Sequence, residues 1–266
     1  MAQEKWLIDG AKTIDVDNVR KLKVGLVAGQ VNVIGHDETY ARIEVHSVSG
    51  KELLVQIDGD TLEIDHAQLR WDNFIDVFKS FRGSSKVDVT ITVPRDIALK
   101  FGVVSATALV TGLTAEASVS TVSGDVVVDG LYGDLQLNAV SGELSVRGHY
   151  GKINAHTISG DITASGEIMA FSGDTVSGDV FLDIQGTPDE VKLNTISGSV
   201  TVRLQEGVPA QYKINTVSGR LQLDDSEIRG VRGSYTGKYG DLDRSWLEFR
   251  ANTVSGNISV LHQVSA

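Results

Sequence analysis

The chain contains no cysteine, three prolines and two methionines among 266 residues, and aromatics make up only 6%. Without cysteine it has no disulfide, no thiolate metal ligand and no thiol nucleophile. With so little proline, long stretches are free to donate to strand ladders. No apolar run approaches the roughly 20 residues that span a bilayer as a helix. The start, Met1-Ala2-Gln3-Glu4-Lys5-Trp6, lacks a basic region followed by an apolar stretch. No secretory leader is expected there, which points to the cytoplasm, with the cell surface left open for a chain whose leader had been removed. Basic charge is also short: 24 Lys and Arg face 35 Asp and Glu, for a net charge of −11. That balance argues against nucleic acid or an anionic membrane as the main partner.

What the chain has in quantity is repetition. Val122-Ser-Gly-Asp-Val-Val-Val-Asp-Gly130 recurs with its Ser-Gly pair at Ser123, Ser141, Ser159 and Ser177, each 18 residues apart. It continues at Ser197, Ser218 and Ser255, with spacings of 20, 21 and 37, the last close to two periods. A fixed period of this size marks units that bury their apolar faces by stacking on one another. Two residues after each glycine stand Val126, Leu144, Ile162, Val180, Val200, Leu221 and Ile258. Four after stand Val128, Val146, Ala164, Leu182, Val202, Leu223 and Val260. This alternation predicts a strand with one buried face. Before the glycine, apolar residues fall five back (Val119, Leu137, Leu193) and two back (Val122, Ile158, Ile196). Reading both columns as core changes the parity of the strand, so a bulge or corner is expected, with a glycine at positive φ.

Each unit thus reads as two short strands and two corners. The expected fold is all-β: a single elongated parallel β-solenoid over residues 1–266 with ~18-residue repeats. Degenerate N-terminal repeats and a cap occupy 1–104, and regular repeats 105–266. Val27-Ala28-Gly29 and Val48-Ser49-Gly50 read as faded copies of the corner, and Val104-Ser105-Ala106 as a copy that lacks only the glycine. The rival reading is a meander of hairpins, for which Asp58-Gly59 and Asp129-Gly130 are suitable turns.

Two segments depart from the repeat. In Arg70 to Ser85, Trp71, Phe74, Ile75 and Phe78 fall at helical spacing and Phe81 follows, predicting one short helical excursion. It reads either as a lid over the solenoid or as an aromatic contact surface. In Asp225 to Arg244, Ser234-Tyr-Thr-Gly-Lys-Tyr-Gly240 reads as an extended corner or a contact loop carrying Tyr235 and Tyr239. The contact candidates are therefore Trp71, Phe74, Phe78, Phe81, Tyr235 and Tyr239.

The repeat columns also carry polar residues. Thr121, Thr157, Thr175, Thr195, Thr216 and Thr253 stand three before the glycine, with Ala139 the exception, and the serine column is unbroken from Ser123 to Ser255. These read as corner hydroxyls bonded to backbone, with an ice-binding hydroxyl face as a remote alternative. Asn138, Asn194, Asn215 and Asn252 read as a structural ladder resembling the internal Asn ladders of β-helices. Asp125, Asp161 and Asp179 follow the glycine, but Glu143, Ser199, Arg220 and Asn257 occupy other turns, so no calcium site is expected. The six histidines show no ligand spacing. No nucleophile elbow, phosphate loop or zinc motif is present, so neither a catalytic residue, a metal nor a cofactor is expected.

The repeated Thr-Val-Ser-Gly-Asp-Val phrase resembles the bacterial β-strand-repeat family labelled "putative adhesin", a domain of unknown function. Val87-Asp-Val-Thr-Ile-Thr-Val-Pro94, followed by Val103-Val104-Ser105-Ala106, is similar to that family's lead-in. The resemblance implies a β-helical repeat and surface contact, and no catalytic residues. The expectation is a non-enzymatic, adhesin-like scaffold with a protein or glycan partner, self-association left open. The alternative is a β-helix carbohydrate-active lyase or hydrolase, which would need clustered acids in a groove.

Overall fold

The computed structural model describes residues 4–66, 85–228 and 233–263. Among these every regular element is a strand. None is a helix, so none is a helix long and apolar enough to cross a membrane. The predicted helical excursion falls on residues 70–85 and lies almost wholly outside the described residues. The chain divides into two compact units, Met1–Gly133 and Asp134–Ala266.

The first unit holds β1 (Glu4–Ile8), β2 (Lys12–Asp17), β3 (Lys21–Leu26), β4 (Ala28–His36), β5 (Tyr40–Ser49) and β6 (Leu53–Asp58). It continues with β7 (Thr61–His66), β8 (Lys86–Pro94), β9 (Ala98–Val103), β10 (Thr107–Thr111), β11 (Ala117–Thr121) and β12 (Val126–Asp129). Two parallel ladders run β7–β3–β9–β11 and β8–β4–β10–β12. Each coil gives one strand to each ladder, as the period predicts. Antiparallel strands then close the outer edges: β6 and β1 beyond β7, β5 and β2 beyond β8. The hairpin reading is therefore right at this end: Asp58 pairs with Thr61 across Gly59. Val48-Ser49-Gly50 closes no coil, since it ends an antiparallel strand.

The second unit holds β13 (Leu135–Ala139), β14 (Leu144–Thr157), β15 (Ile162–Thr175), β16 (Val180–Ile184), β17 (Glu190–Thr195) and β18 (Val200–Leu204). After them come β19 (Ala210–Thr216), β20 (Leu221–Leu223), β21 (Ser226–Ile228), β22 (Gly233–Tyr239), β23 (Leu247–Thr253) and β24 (Ile258–His262). The first ladder runs β13–β14–β15–β17–β23–β19, all parallel, with β22 antiparallel on its edge. The second runs β14–β15–β16–β18–β24–β20, with β21 antiparallel on its edge. The Asp225 to Arg244 departure is thus not an extended corner: its described part supplies the two capping strands.

The stacking order differs from the chain order at one place in each unit. The last coil, β23–β24, sits between β17–β18 and β19–β20 rather than at the end. The first coil, β3–β4, likewise sits between β7–β8 and β9–β10. The 37-residue spacing therefore marks a skipped slot that the chain fills on its return.

The inward columns after the glycine are core as predicted: Leu144, Ile162, Val180 and Val200 stack in register and are each 1% exposed. The column two before the glycine is not. Ile158, Val176, Ile196, Val217 and Val254 are 43–63% exposed, and only Val122 is buried. The threonine before each of them takes the inward place instead, at 1–6% exposed. The strand keeps its parity through the threonine, whose hydroxyl accepts the N–H of the glycine three residues on: Gly124, Gly160, Gly178, Gly198 and Gly256, at 2.8–3.0 Å. At these five corners an apolar side chain in that slot would leave a buried N–H unpaired. Ala139 holds the slot before Gly142, and the Thr216 hydroxyl has no hydrogen-bond partner.

The glycine column does not adopt the expected positive φ. It is fixed by close approach between coils. A Cβ on Gly178 would stand 2.0 Å from the Gly160 carbonyl oxygen, and one on Gly198 1.9 Å from that of Gly178.

Candidate interaction surface

Four of the six contact candidates, Trp71, Phe74, Phe78 and Phe81, lie outside the described residues. Tyr235 and Tyr239 are on β22, opposite Ile214 and Ala210, so they share the core-facing side of the sheet. The Tyr235 ring covers Gly237, where an added Cβ would meet its hydroxyl at 2.6 Å. Tyr239 stacks on His262 at 3.8 Å between centroids. The His262 backbone N–H donates to Asp224 Oδ1 at 2.7 Å. Its ring Nδ1 lies 3.0 Å from both carboxylate oxygens, and Nε2 lies 2.9 Å from the Val208 carbonyl oxygen. The cluster ties the inserted coil to the cap. Tyr212 lies in the core (3% exposed), edge-on to Phe249. Burial, aided by the Asp224 charge, pushes its hydroxyl above the usual tyrosine range.

The outward columns show what the repeat presents to solvent. The serine hydroxyls donate to the coil next to them, beside the serine's own N–H: Ser177 to Ile158, Ser197 to Val176 and Ser255 to Ile196, each at 3.3 Å. With the threonines buried, the threonine and serine columns do not share an outer face, which removes the ice-binding geometry. Two of the aspartates after the glycine have a backbone role. Asp161 accepts the N–H of Asp179, and Asp179 accepts that of Ser199.

The asparagine ladder is present, but on the outer face. Asn215 donates to Asn252, Asn252 to Asn194 and Asn194 to Asp174, each at 2.7 Å, and His156 Nδ1 lies 3.0 Å from Asp174. Two residues before the amides stands a column of cations, Lys192, Arg250 and Lys213, in register across β17, β23 and β19. Arg250 binds both Glu190 and Glu248. Two residues after the amides stand Ile196, Val254 and Val217, on the bend that turns the chain into the second ladder. On this face of the second unit the columns run in parallel: cations, amides, then an apolar ridge. The alternation of apolar residues assigned the ridge to the core; the threonine column was legible, but not that it takes the inward place.

In the first unit, Asp65 and His66 end β7 and are buried. His66 Nδ1 accepts the Val27 N–H at 3.3 Å, while His66 Nε2 and Asp65 Oδ1 have no hydrogen-bond partner. Burial pushes the Asp65 carboxyl up to about 8, with Glu63 adding to it. Burial pulls the His66 imidazole down to about 4, with Lys51 adding to it. Among the described residues no three His, Asp or Glu side chains are grouped so as to hold a metal.

The parallel coils, the corner phrase and the outward columns define a β-repeat protein. The chain belongs to the Toastrack DUF4097 family, whose pattern matches residues 19–261. No curated protein matches the chain. A crystal structure from Parabacteroides distasonis, described as a "putative lipid binding protein", is 15% identical, with a TM-score of 0.53. The match covers 96% of this chain and 99% of that one, and it supports the fold. A "putative adhesin" from Bacteroides fragilis is 12% identical over 94% of this chain and 97% of its own, with a TM-score of 0.45. A "putative cell adhesion protein" from Clostridium sporogenes is 15% identical over 95% and 100%, with a TM-score of 0.30.

Proposed function

We propose that this protein is a non-enzymatic β-repeat scaffold that holds a partner on the outer surface of its coils. The 18-residue period, unchanged in sequence from Ser123 to Ser177, favours one continuous β-solenoid as its form. The observation that carries the reading is the outward corner column. Five apolar, β-branched side chains at 43–63% exposure occupy the same place in successive coils. A contiguous apolar strip of this kind marks an interaction site more often than scattered exposed residues do. The polar columns point the same way. Asp161 and Asp179 bond backbone, Asp174 bonds His156 and Asn194, and Asp183 pairs with Arg203. A glycosidase or lyase needs acids converging on one reacting bond. The name of the structural neighbour from Parabacteroides distasonis, a "putative lipid binding protein", agrees with a binding role.

The test pairs binding with catalysis. The native chain, and a variant with serine at Ile158, Val176, Ile196, Val217 and Val254, would be assayed against soluble envelope glycans, vesicles and source-cell fractions. Saturable binding by the native chain, lost in an equally heat-stable variant, is the expected result. Release of new sugar ends from any polysaccharide would replace the scaffold with the carbohydrate-active alternative.

A further inference from the structure

We infer that the C-terminal half of the apolar ridge, with its flanking columns, is a docking surface for an anionic lipid bilayer. The inference rests on the scaffold reading and names its partner. It starts from shape. Ile196, Val254 and Val217 stand on consecutive coils at a bend, exposed 50%, 47% and 63%. Such a projecting row of short apolar side chains suits the boundary between headgroups and acyl chains, where apolar area and charge attraction together set binding strength. A globular partner would ask for more: each side of a standard interface loses about 800 Å².

Charge selects the lipid. Along this stretch the columns on both sides of the ridge are free of acids. On one side lie Asn194, Asn252 and Asn215, then Lys192, Arg250 and Lys213. On the other lie the three corner serines, then Ser199, Asn257 and Arg220. The acids Asp161, Asp174 and Asp179 belong to the preceding coils. Glu190 and Glu248, one column beyond the lysines, are held by Arg250 at 2.8 and 2.5 Å, and Arg220 is held by Glu227. Among the described residues no ion pair engages Lys192 or Lys213, so both can meet headgroup phosphates. Each amide of the ladder uses one N–H along the column and keeps a second for the same oxygens. The net charge of −11 opposes such docking at long range. At physiological salt, however, screening acts over about 8 Å, and facing sheets stand about 10 Å apart, so local charge decides.

The test is co-sedimentation of the full chain with vesicles of phosphatidylglycerol and phosphatidylcholine, and with phosphatidylcholine alone. The native chain is expected to bind the mixed vesicles at least tenfold more strongly than the neutral ones. Ile196→Ser/Val254→Ser/Val217→Ser should weaken that binding tenfold or more, and Lys192→Glu/Lys213→Glu should remove the preference for the anionic lipid. Melting of each variant checks the fold. Val217→Ser alone, at the most exposed of the three, gives a second variant should the triple one fail to fold. No binding by the native chain, or undiminished binding by folded ridge variants, overturns the inference. So does a native dimer that the ridge variants convert to a monomer, which assigns the ridge to a second copy. Saturable binding to a glycan or protein without vesicle binding would sink the lipid surface and leave the scaffold standing.

Discussion

At the scale of the residue, the four-residue corner explains both the repetition and the main misreading of it. Threonine, serine and glycine each have a separate physical task, which is why they recur together. The glycine leaves room for a carbonyl of the adjacent coil, since a Cβ on Gly178 would overlap the Gly160 oxygen at 2.0 Å. Gly178→Ala should therefore cost several kcal/mol in urea unfolding, through backbone displacement in a packed corner. Ser177→Ala should cost about 1 kcal/mol or less, because the hydroxyl only shares an acceptor that the serine N–H already binds. Thr195→Val should fall between, at about 1–3 kcal/mol, by orphaning the buried Gly198 N–H. Equal losses at the three positions would contradict these roles. Asp65 and His66 give a pH signature. His66, with its folded value near 4, adds stability as pH rises from about 4 to the unfolded value near 6.5. Asp65, raised to about 8, removes stability from its unfolded value near 4 up to 8. The two slopes oppose each other below pH 6.5, and above it only Asp65 acts. Stability should thus fall by about 2 kcal/mol between pH 6.5 and 8, at 1.36 kcal/mol per unit. Asp65→Asn should flatten that fall in denaturant titrations at each pH.

At the scale of the element, the sequence showed which residues form strands but not the order in which they stack. The period, the inward columns from Val126 to Ile258 and the faded copy of the corner at Val27-Ala28-Gly29 were all legible, because each is a local pattern. The insertion of β23–β24 was not. Val217 and Val254 carry the same corner phrase, and nothing in either copy says which coil lies outermost. The ridge was misread for a related reason: hydropathy ranks Ile196 above Thr195, whereas at this corner the threonine lies inside and its hydroxyl accepts the Gly198 N–H. The insertion has a physical benefit. A terminal coil at the end of a stack would be paired on one side and would fray, but this one is paired on both and pinned by His262. Hydrogen exchange should show it. Amides of β23 should be as protected as those of β17, although they lie within 20 residues of the C-terminus, and those of β22 should exchange much faster. Fast exchange throughout 247–262 would mean that the coil is only loosely seated.

At the scale of the whole molecule, the same topology sets how the chain reaches its fold. The closing coil pairs with strands 58 and 37 residues earlier in sequence, so β23 meets β17 and β19 only after a long loop closes. Loop closure precedes the gain from such contacts, and folds dominated by distant pairings fold in milliseconds to seconds rather than microseconds. Until the coil arrives, β17 and β19 each present an unpaired parallel edge, the kind of template that recruits another chain. Seating β23–β24 should therefore be the slow event in the second unit, and the step at which copies exchange elements at high concentration. Trp246 reports on it directly: it adjoins Leu247, the first residue of β23, and is 38% exposed. In a chain with Phe at Trp6 and Trp71, the Trp246 signal on refolding should lag the far-ultraviolet signal of strand formation. The recovered monomer should decline as refolding concentration rises, with the shortfall appearing as dimer. Simultaneous recovery of both signals, with a yield independent of concentration, would show that the slot closes together with the rest of the unit.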